Sequence, residues 1–240
     1  MTTPALDFDA QELRTWLQQQ LPELKGAMQL ERIGGGQSNP TFFVTFERGP
    51  GLVLRKQPPG ELLKSAHAVD REFRILRALE GTDVPVPPAL VYCDDREVIG
   101  TPFYVMERLE GRVMSNYALP QLPPRERESY LIALAQTLAH LHAVDWKKVG
   151  LSDYGKPGNF FERQITRWTH QWEASKTVEN DHIDLLIEWL PTHIPPGDET
   201  TIAHGDFRMG NVMFHPTESR VIAVLDWELS TLGHPLADVA

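Results

Sequence analysis

The chain has 240 residues, which is long enough for one large domain or for two lobes around a substantial core. Its 33 acidic and 23 basic residues give a net charge of −10. No lysine- and arginine-rich run occurs, so neither a basic face nor a nucleic-acid partner is expected. A single cysteine, Cys93, excludes an internal disulfide and favours a reducing compartment. The first ten residues lack the basic and apolar regions of a signal peptide, and no apolar run approaches the ~20 residues of a membrane span. We therefore expect a cytoplasmic protein without a membrane partner.

The first half of the chain reads mainly as strands. Asp9 is placed to cap a helix that runs to about Leu21, with apolar residues at helical spacing. Residues 33–40 favour a turn. Beyond it, β-branched and aromatic residues indicate short strands, and apolar spacing indicates one helix. In chain order these are strands 41–46 and 52–55, a helix over 68–79, and strands 89–92 and 103–106. This order predicts a small, mostly antiparallel sheet with one packed helix.

After Gly111 the pattern changes to helices. The predicted helices cover residues 125–143, 159–175 and 182–190, and the first of them places leucines 131, 134, 138 and 141 on one stripe. A proline-rich break and two short strands, 212–214 and 221–225, complete the pattern. We therefore predict an α+β fold with two lobes. The N-lobe covers residues 1–110 and has the small antiparallel sheet, and the mainly helical C-lobe covers residues 111–240.

The strongest chemical signal is the segment His204-Gly205-Asp206-Phe207-Arg208-Met209-Gly210-Asn211. Kinase catalytic loops follow the pattern H-R-D-x-x-x-x-N, in which the aspartate accepts the proton of the substrate hydroxyl and the asparagine binds magnesium. Asp206 and Asn211 keep that spacing, with Gly205 in place of the arginine. Asp226 ends an apolar strand and is expected to be the second magnesium ligand, because Mg²⁺ uses few protein carboxylates when phosphate oxygens complete its shell. Each residue alone could cap a turn or end a strand, but the combined arrangement predicts phosphoryl transfer.

These segments also carry a family resemblance. Residues 204–211 and 225–228, with Asp238, resemble the aminoglycoside phosphotransferase family (choline kinase-like phosphotransferases). More narrowly, Phe214-His215-Pro216 and residues 224–233 resemble the kinase-like domain that is fused to some acyl-CoA dehydrogenases. The resemblance extends over residues 33–240, nearly the whole chain. It implies a protein-kinase-like bilobal fold, ATP and Mg²⁺ as cofactors, and a small-molecule hydroxyl as phosphoryl acceptor. Because family members usually continue past the motif at Asp238, it also implies that helices of the C-lobe are missing.

The resemblance assigns a loop over the ATP phosphates to Gly34-Gly35-Gly36-Gln37-Ser38-Asn39. Gly35, Gly36 and Ser38 would present bare backbone N–H groups to the phosphate oxygens. The segment matches neither G-x-x-x-x-G-K-[ST] nor G-x-G-x-x-G, and an ordinary hairpin turn would explain it about as well.

A cation on the third strand and a glutamate on the following helix form the next implied pair. Kinases use a strand lysine that contacts the α- and β-phosphates and a helix glutamate. Here Arg55 takes the lysine position and Glu72 offers the partner, although Glu72 could also be a solvated helix charge. Strand alternation points Arg55 and Lys56 to opposite faces, so Lys56 remains an alternative phosphate ligand.

Two further expectations come from the family. Met106, Glu107 and Leu109 resemble the hinge between the lobes, where adenine would bond to the backbone of Glu107 and Leu109 with Met106 behind it. Asp238 resembles the aspartate that supports the catalytic loop, and it could equally be an ordinary helix-start residue.

The acceptor is the least determined part of the function. The family builds acceptor contacts near Glu162, Trp168, Trp172 and Glu173, but the two tryptophans are equally typical of helix packing. The narrower resemblance favours a hydroxyacyl-CoA-like metabolite over an aminoglycoside. The alternative to an enzyme is a non-catalytic nucleotide-binding module or an inactive fragment of such a kinase.

Overall fold

A computed structural model describes residues 6–34, 39–60 and 67–239 of the chain. The first element, helix α1 (Ala10–Gln20), begins where the sequence predicts, because the Asp9 carboxylate accepts a hydrogen bond of 2.7 Å from the Gln11 amide. Leu13 and Leu17 of this helix are fully buried against the sheet that follows.

Five strands form one antiparallel sheet in the order β1-β2-β3-β5-β4. Their bounds are β1 Lys25–Arg32, β2 Thr41–Arg48, β3 Leu52–Lys56, β4 Ala89–Cys93 and β5 Phe103–Glu107. The sequence predicts four of them and misses β1. This strand lies at the sheet edge, carries only two partly buried apolar residues, Met28 and Leu30, and is irregular at Gly26, so its pattern resembles a loop.

Helix α2 (Val69–Leu79) follows β3 and matches the predicted helix. Its buried stripe contains Glu72 among apolar residues, a position that is costly for a carboxylate without partners. A short helix, α3 (Arg96–Ile99), connects β4 to β5.

The second lobe is built from three helices and five short strands. The helices are α4 Pro124–Ala143, α5 Phe160–Ser175 and α6 Asp181–Trp189. The strands are β6 Arg112–Val113, β7 Thr201–Ala203, β8 Val212–Phe214, β9 Val221–Val224 and β10 Thr231–Gly233. They form a three-stranded sheet β6-β8-β9 and a β7–β10 pair. The sequence predicts β8 and β9 and misses β6, β7 and β10.

The structure confirms three leucines of the predicted α4 stripe, since Leu134, Leu138 and Leu141 pack against the apolar cores. Leu131 is 51% exposed, and the buried face of α4 is made by Tyr130, Thr137 and Leu141. No residue of α5 is fully buried, and Trp168 is 55% exposed. The predicted face of α4 is therefore correct except at Leu131, whereas α5 has no fully buried residue.

One apolar core connects the two lobes. It brings the buried side of α2, including Leu76, against Val224, Trp227 and Leu232 of the second lobe. A second core fills the space between α1, α3 and the five-stranded sheet, and a third lies between α4 and the β6-β8-β9 sheet. The predicted boundary at residues 110 and 111 falls between β5 and β6.

Candidate active site

A cleft of about 620 Å³ lies between the five-stranded sheet and the β8–β9 hairpin. Its upper wall includes Phe43, Val53 and Tyr104, and its floor includes Met213 and Leu225. Six of the eleven predicted site residues line it, from four separate parts of the chain. They are Arg55, Met106, Glu107, Leu109, Asn211 and Asp226. Glu72 and Asp206 lie behind this lining, where Glu72 contacts Arg55 and Asp206 contacts Asn211.

The predicted catalytic loop connects β7 to β8. Asn211 closes a 3₁₀ turn over Met209–Asn211, and its Nδ2 donates to Asp206 Oδ2 at 2.7 Å and to the Asp206 carbonyl at 2.9 Å. With Nδ2 committed to Asp206, the Oδ1 atom of Asn211 is the one left to bind a cation. The five-residue spacing of the motif therefore produces a direct contact between the two side chains.

Arg208 is a further partner of Asp206. Its Nε donates to both carboxylate oxygens, at 2.9 and 3.1 Å, and the guanidinium extends toward the hydroxyl of Tyr117. The side chains of Arg208 and Asp206 are 46% and 40% exposed, so the contact is open to solvent and to an incoming acceptor.

Gly205 explains why the loop has no arginine before its aspartate. Its φ of +86° lies in the left-handed region, and a Cβ there would lie 2.7 Å from the carbonyl oxygen of Leu229. Its amide donates to Asp238 Oδ1 at 2.7 Å. The backbone conformation and the neighbouring chain therefore both require glycine.

His204 and Asp238 hold the loop from below. Asp238 accepts hydrogen bonds from the His204 amide (2.8 Å) and the Gly205 amide, and lies 3.0 Å from Nε2 of His142. Burial raises the pKa of Asp238, but these donors outweigh burial and hold its pKa below its ordinary value. The aspartate is thus a charged acceptor that fixes the start of the catalytic loop.

The buried ring of His204 joins the loop to the strand end that carries Asp226. Nε2 of His204 lies 2.9 Å from the Leu225 carbonyl, and Nδ1 accepts from the Asp206 amide at 3.2 Å. These contacts require a neutral ring with its proton on Nε2. Burial lowers the pKa of His204 and thereby favours that neutral form.

Asp226 follows β9 with a left-handed backbone, φ 65° and ψ 62°. This conformation is uncommon for a residue other than glycine and is often found where a functional side chain is held in place. The adjoining backbone is paired, because the Leu225 amide donates to the Asn211 carbonyl at 2.8 Å. The two predicted magnesium ligands therefore lie on neighbouring chain segments.

Arg55 meets three carboxylates. Its Nε lies 2.8 Å from Glu72 Oε2, and its Nη2 lies 2.7 Å from Asp226 Oδ1 and 3.2 Å from Glu228 Oε2. The Nε–H is not directed at the Glu72 oxygen, so that contact is an ion pair and not a hydrogen bond. Burial lowers the pKa of Arg55, but the carboxylates, first of all Glu72, outweigh burial and raise it. The guanidinium is therefore firmly cationic.

Glu72 is 1% exposed and takes two more donors, Asn39 Nδ2 at 2.5 Å and the Tyr104 hydroxyl at 3.0 Å. Burial raises the pKa of Glu72, whereas Arg55 and these donors favour its ionised form. Glu72 is therefore not a solvated helix charge.

The structure places Arg55, and not Lys56, in the cleft. Lys56 is fully buried on the opposite face of β3, with its Nζ 2.6 Å from Asp7 Oδ2 and 5.3 Å from the ring centre of Phe8. The alternation of side chains along a strand separates the two cations.

Some predicted site residues are not described, and some residues of the site were not predicted. Gly35, Gly36 and Ser38 lie outside the described residues. Sequence reasoning missed Glu228 as a partner of Arg55, although its spacing of two from Asp226 was a usable signal. It also missed the contact of Asn39 with Glu72, for which no local pattern exists.

The comparisons with known proteins agree with this geometry. The model of the phosphotransferase enzyme family, APH, matches residues 29–240. The chain belongs to this family. It is 43% identical to rat acyl-CoA dehydrogenase family member 11 over 99% of this chain, but it spans only 31% of that protein. Family membership and the resemblance to a dehydrogenase-fused kinase-like domain are thereby confirmed.

Solved structures confirm the fold class. A candidate aminoglycoside phosphotransferase from Ralstonia eutropha has 46% identity and a TM-score of 0.87, with 97% of this chain and 68% of that chain covered. A thermostable mutant of the aminoglycoside phosphotransferase APH(4)-Ia, solved with ADP and hygromycin B, has the same fold at 20% identity. Its TM-score is 0.63, with 93% of this chain and 73% of that chain covered. Within the described ranges, no helix is both long enough and apolar enough to cross a membrane.

Proposed function

We propose that this chain is an ATP-dependent phosphotransferase that moves the γ-phosphoryl group to a hydroxyl of a small molecule. The observation that carries the proposal is that Arg55, Asn211 and Asp226 line one cleft and that Asn211 donates to the Asp206 carboxylate. Phosphoryl transfer needs little covalent chemistry from the protein, and it depends on placing charges and donors around the transferred group. A cleft that combines a carboxylate base, oxygen ligands and a cation meets those needs.

Asp206 is the proposed base. Its carboxylate is held by Asn211 and Arg208 at the open side of the cleft, where an acceptor hydroxyl can approach. In this position it accepts the hydroxyl proton as the oxygen attacks the γ-phosphorus, and Arg208 keeps the carboxylate in one orientation. General-base catalysis of this kind contributes roughly 10²–10⁴ in rate.

The donor set near Asp226 fits magnesium. Asn211 Oδ1 and the carboxylates of Asp226 and Glu228 are hard oxygen ligands, and the last two already share the cation Arg55. Bound Mg²⁺ supplies charge neutralisation at the phosphates. Arg55 contributes a second positive charge to the phosphates, and Glu72 holds it in place. Adenine would lie at Glu107 and Leu109, with Met106 behind it.

For the acceptor, we favour a hydroxyacyl-CoA-like metabolite over an aminoglycoside. Support comes from the acyl-CoA dehydrogenase relatives, which match at 42–48% identity, whereas the aminoglycoside enzyme solved with ADP and hygromycin B matches at 20%. The net charge of −10 also favours a small molecule over a nucleic acid as partner. A cytoplasmic location belongs to the same proposal.

Asp206→Asn tests the assignment. With γ-labelled ATP and a panel of hydroxyacyl-CoA esters, the wild type should transfer label, and Asp206→Asn should reduce turnover by about 10²–10⁴. Its affinity for Mg·ATP, measured by calorimetry, should stay close to that of the wild type. Asp226→Asn is the comparison variant, in which Mg·ATP affinity itself should fall.

Two outcomes would contradict the proposal. Normal turnover in Asp206→Asn would show that another group is the base. Mg·ATP binding without transfer to any hydroxyl compound, aminoglycosides included, would favour the non-catalytic nucleotide-binding module.

A further inference from the structure

Arg71, which precedes Glu72 in helix α2, forms hydrogen bonds to the second lobe. The guanidinium of Arg71 donates to the carbonyls of Tyr154 (2.7 Å) and Ser230 (3.3 Å). Its carbon also lies 4.1 Å from the centre of the Tyr154 ring, at a distance where a cation and an aromatic face attract each other. One arginine therefore connects α2 with two separate segments of the second lobe.

The hydroxyl of Tyr154 completes the connection. It lies 2.7 Å from Ser230 Oγ and 3.2 Å from the carbonyl of Arg71, and Ser230 Oγ donates to the Trp227 carbonyl at 2.6 Å. Because each hydroxyl has one proton, Tyr154 donates to Ser230, with the Arg71 carbonyl as a weaker second acceptor. The chain of bonds runs from α2 through Tyr154 to the residue after Asp226.

These contacts are buried and specific. Tyr154 is 1% exposed and Ser230 4% exposed, so the hydrogen bonds are made away from solvent, where an unpaired polar atom is costly. The same ring packs in the core that joins α2 to Val224 and Trp227. The connection ends beside Glu72 on one side and beside Asp226 on the other, and these are two of the carboxylates that meet Arg55.

We propose that Tyr154 is a positioning residue for the phosphotransfer site: with Arg71 and Ser230 it sets the distance between Glu72 and Asp226 and so the placement of Arg55. This inference rests on the proposed function. It implies that the helix carrying Glu72 is already fixed before nucleotide binds, and that loosening Tyr154 weakens phosphate and metal binding while leaving the adenine contacts intact.

Tyr154→Phe is the test, because it removes the hydroxyl and keeps the ring that packs on Arg71. Affinities for Mg·ATP and for adenosine are measured by calorimetry in the full chain. We expect Tyr154→Phe to weaken Mg·ATP binding by about three- to tenfold, the effect of losing one or two buried hydrogen bonds, with adenosine binding unchanged. Ser230→Ala should have the same effect, and the double variant should be no weaker than either single variant.

Arg74→Gln is the matched control. Arg74 lies one turn beyond Arg71 and binds Asp153 and the Gly150 carbonyl of the same loop, but on the exposed surface. The Arg74→Gln variant should therefore bind Mg·ATP and adenosine with wild-type affinity. A Tyr154→Phe protein that melts earlier but keeps the wild-type ratio of Mg·ATP to adenosine affinity would overturn the inference and make Tyr154 a packing residue only. A wild type that binds no Mg·ATP would overturn the proposed function, and the inference with it.

Discussion

The Nη2 atom of Arg55 lies 2.7 Å from Oδ1 of Asp226, which joins the middle of the five-stranded sheet to the end of β9. The same guanidinium pairs with Glu72 of α2. One side chain therefore links the three elements that form the back of the cleft. The charge of Arg55 therefore stabilises the fold through these ion pairs and also serves the proposed phosphate binding.

Replacing Arg55 should affect stability and nucleotide binding together. Arg55→Ala leaves the buried carboxylate of Glu72 without its cation, a loss of about 3–5 kcal/mol in the free energy of unfolding when one partner of a buried pair is removed. Urea denaturation measures it, and Mg·ATP affinity should fall as well. Arg55→Lys should have a stability and an Mg·ATP affinity between those of the wild type and of Arg55→Ala. An ammonium group keeps the charge but cannot contact three carboxylates as a guanidinium does. An Arg55→Ala protein with wild-type stability would show that the ion pair is not formed in solution.

Unlike Arg55, Lys56 is expected to contribute to stability without contributing to nucleotide binding. Asp7→Ala leaves the buried ammonium of Lys56 without its anion and should reduce the free energy of unfolding by about 1–3 kcal/mol. Adding Lys56→Met to that variant removes the uncompensated charge and should restore most of the loss. Neither change should alter Mg·ATP affinity in a binding titration. Weaker Mg·ATP binding in Lys56→Met would contradict this prediction and support Lys56 as a phosphate ligand.

Gly205→Ala should reduce stability and activity far more than Gly81→Ala, although both glycines have a positive φ. Gly81 also has a positive φ, +76°, but no atom lies within 4 Å of its added Cβ. Gly81→Ala should cost about 1–2 kcal/mol through backbone strain alone. Gly205→Ala adds a clash with the Leu229 carbonyl and should also abolish phosphoryl transfer. Equal thermal stability and activity in the two variants would contradict the close packing of the catalytic loop.

The neutral ring of His204 predicts a loss of stability in weak acid. Burial is the main cause that lowers its pKa from 6.5, so the unfolded chain takes up the proton at higher pH than the folded chain. The stability that this group contributes is fully present above about pH 6.5 and is lost as pH falls toward the folded-state pKa, with a slope of at most about 1.4 kcal/mol per pH unit.

Urea titrations at a series of pH values test this. His204→Gln should be less stable at neutral pH and should lose less on acidification than the wild type. The exposed His182→Gln is a surface control and should keep the wild-type stability at neutral pH. A wild type and a His204→Gln variant with parallel curves would show that His204 does not titrate in this range.

Local patterns predicted the elements unevenly. Asp9 capped α1 as expected, because a cap depends only on residues adjacent in sequence. Strand β1 was missed because an edge strand needs few apolar residues. Leu131 was placed on the apolar stripe of α4 although it is half-exposed. Helical period is a local property, but the choice of which face becomes buried depends on neighbours that are distant in sequence.

The site divides in the same way. Spacing alone identified Asp206 and Asn211, since five residues of one loop fix their separation, and the bonds between them follow. It could not choose between Arg55 and Lys56, detect the partnership of Asn39 with Glu72, or find the role of Tyr154. Those contacts join segments that are far apart in the chain.

The sequence by itself determined the family, the phosphotransfer motif and the order of most elements, because these depend on residue type and on short-range spacing. Only the tertiary structure decided which cation faces the cleft, why glycine precedes Asp206, and how α2 is held against the strand end at Asp226. The physical reason is that burial and pairing of charges arise only when distant segments pack together, and no local pattern encodes the partner of a buried side chain.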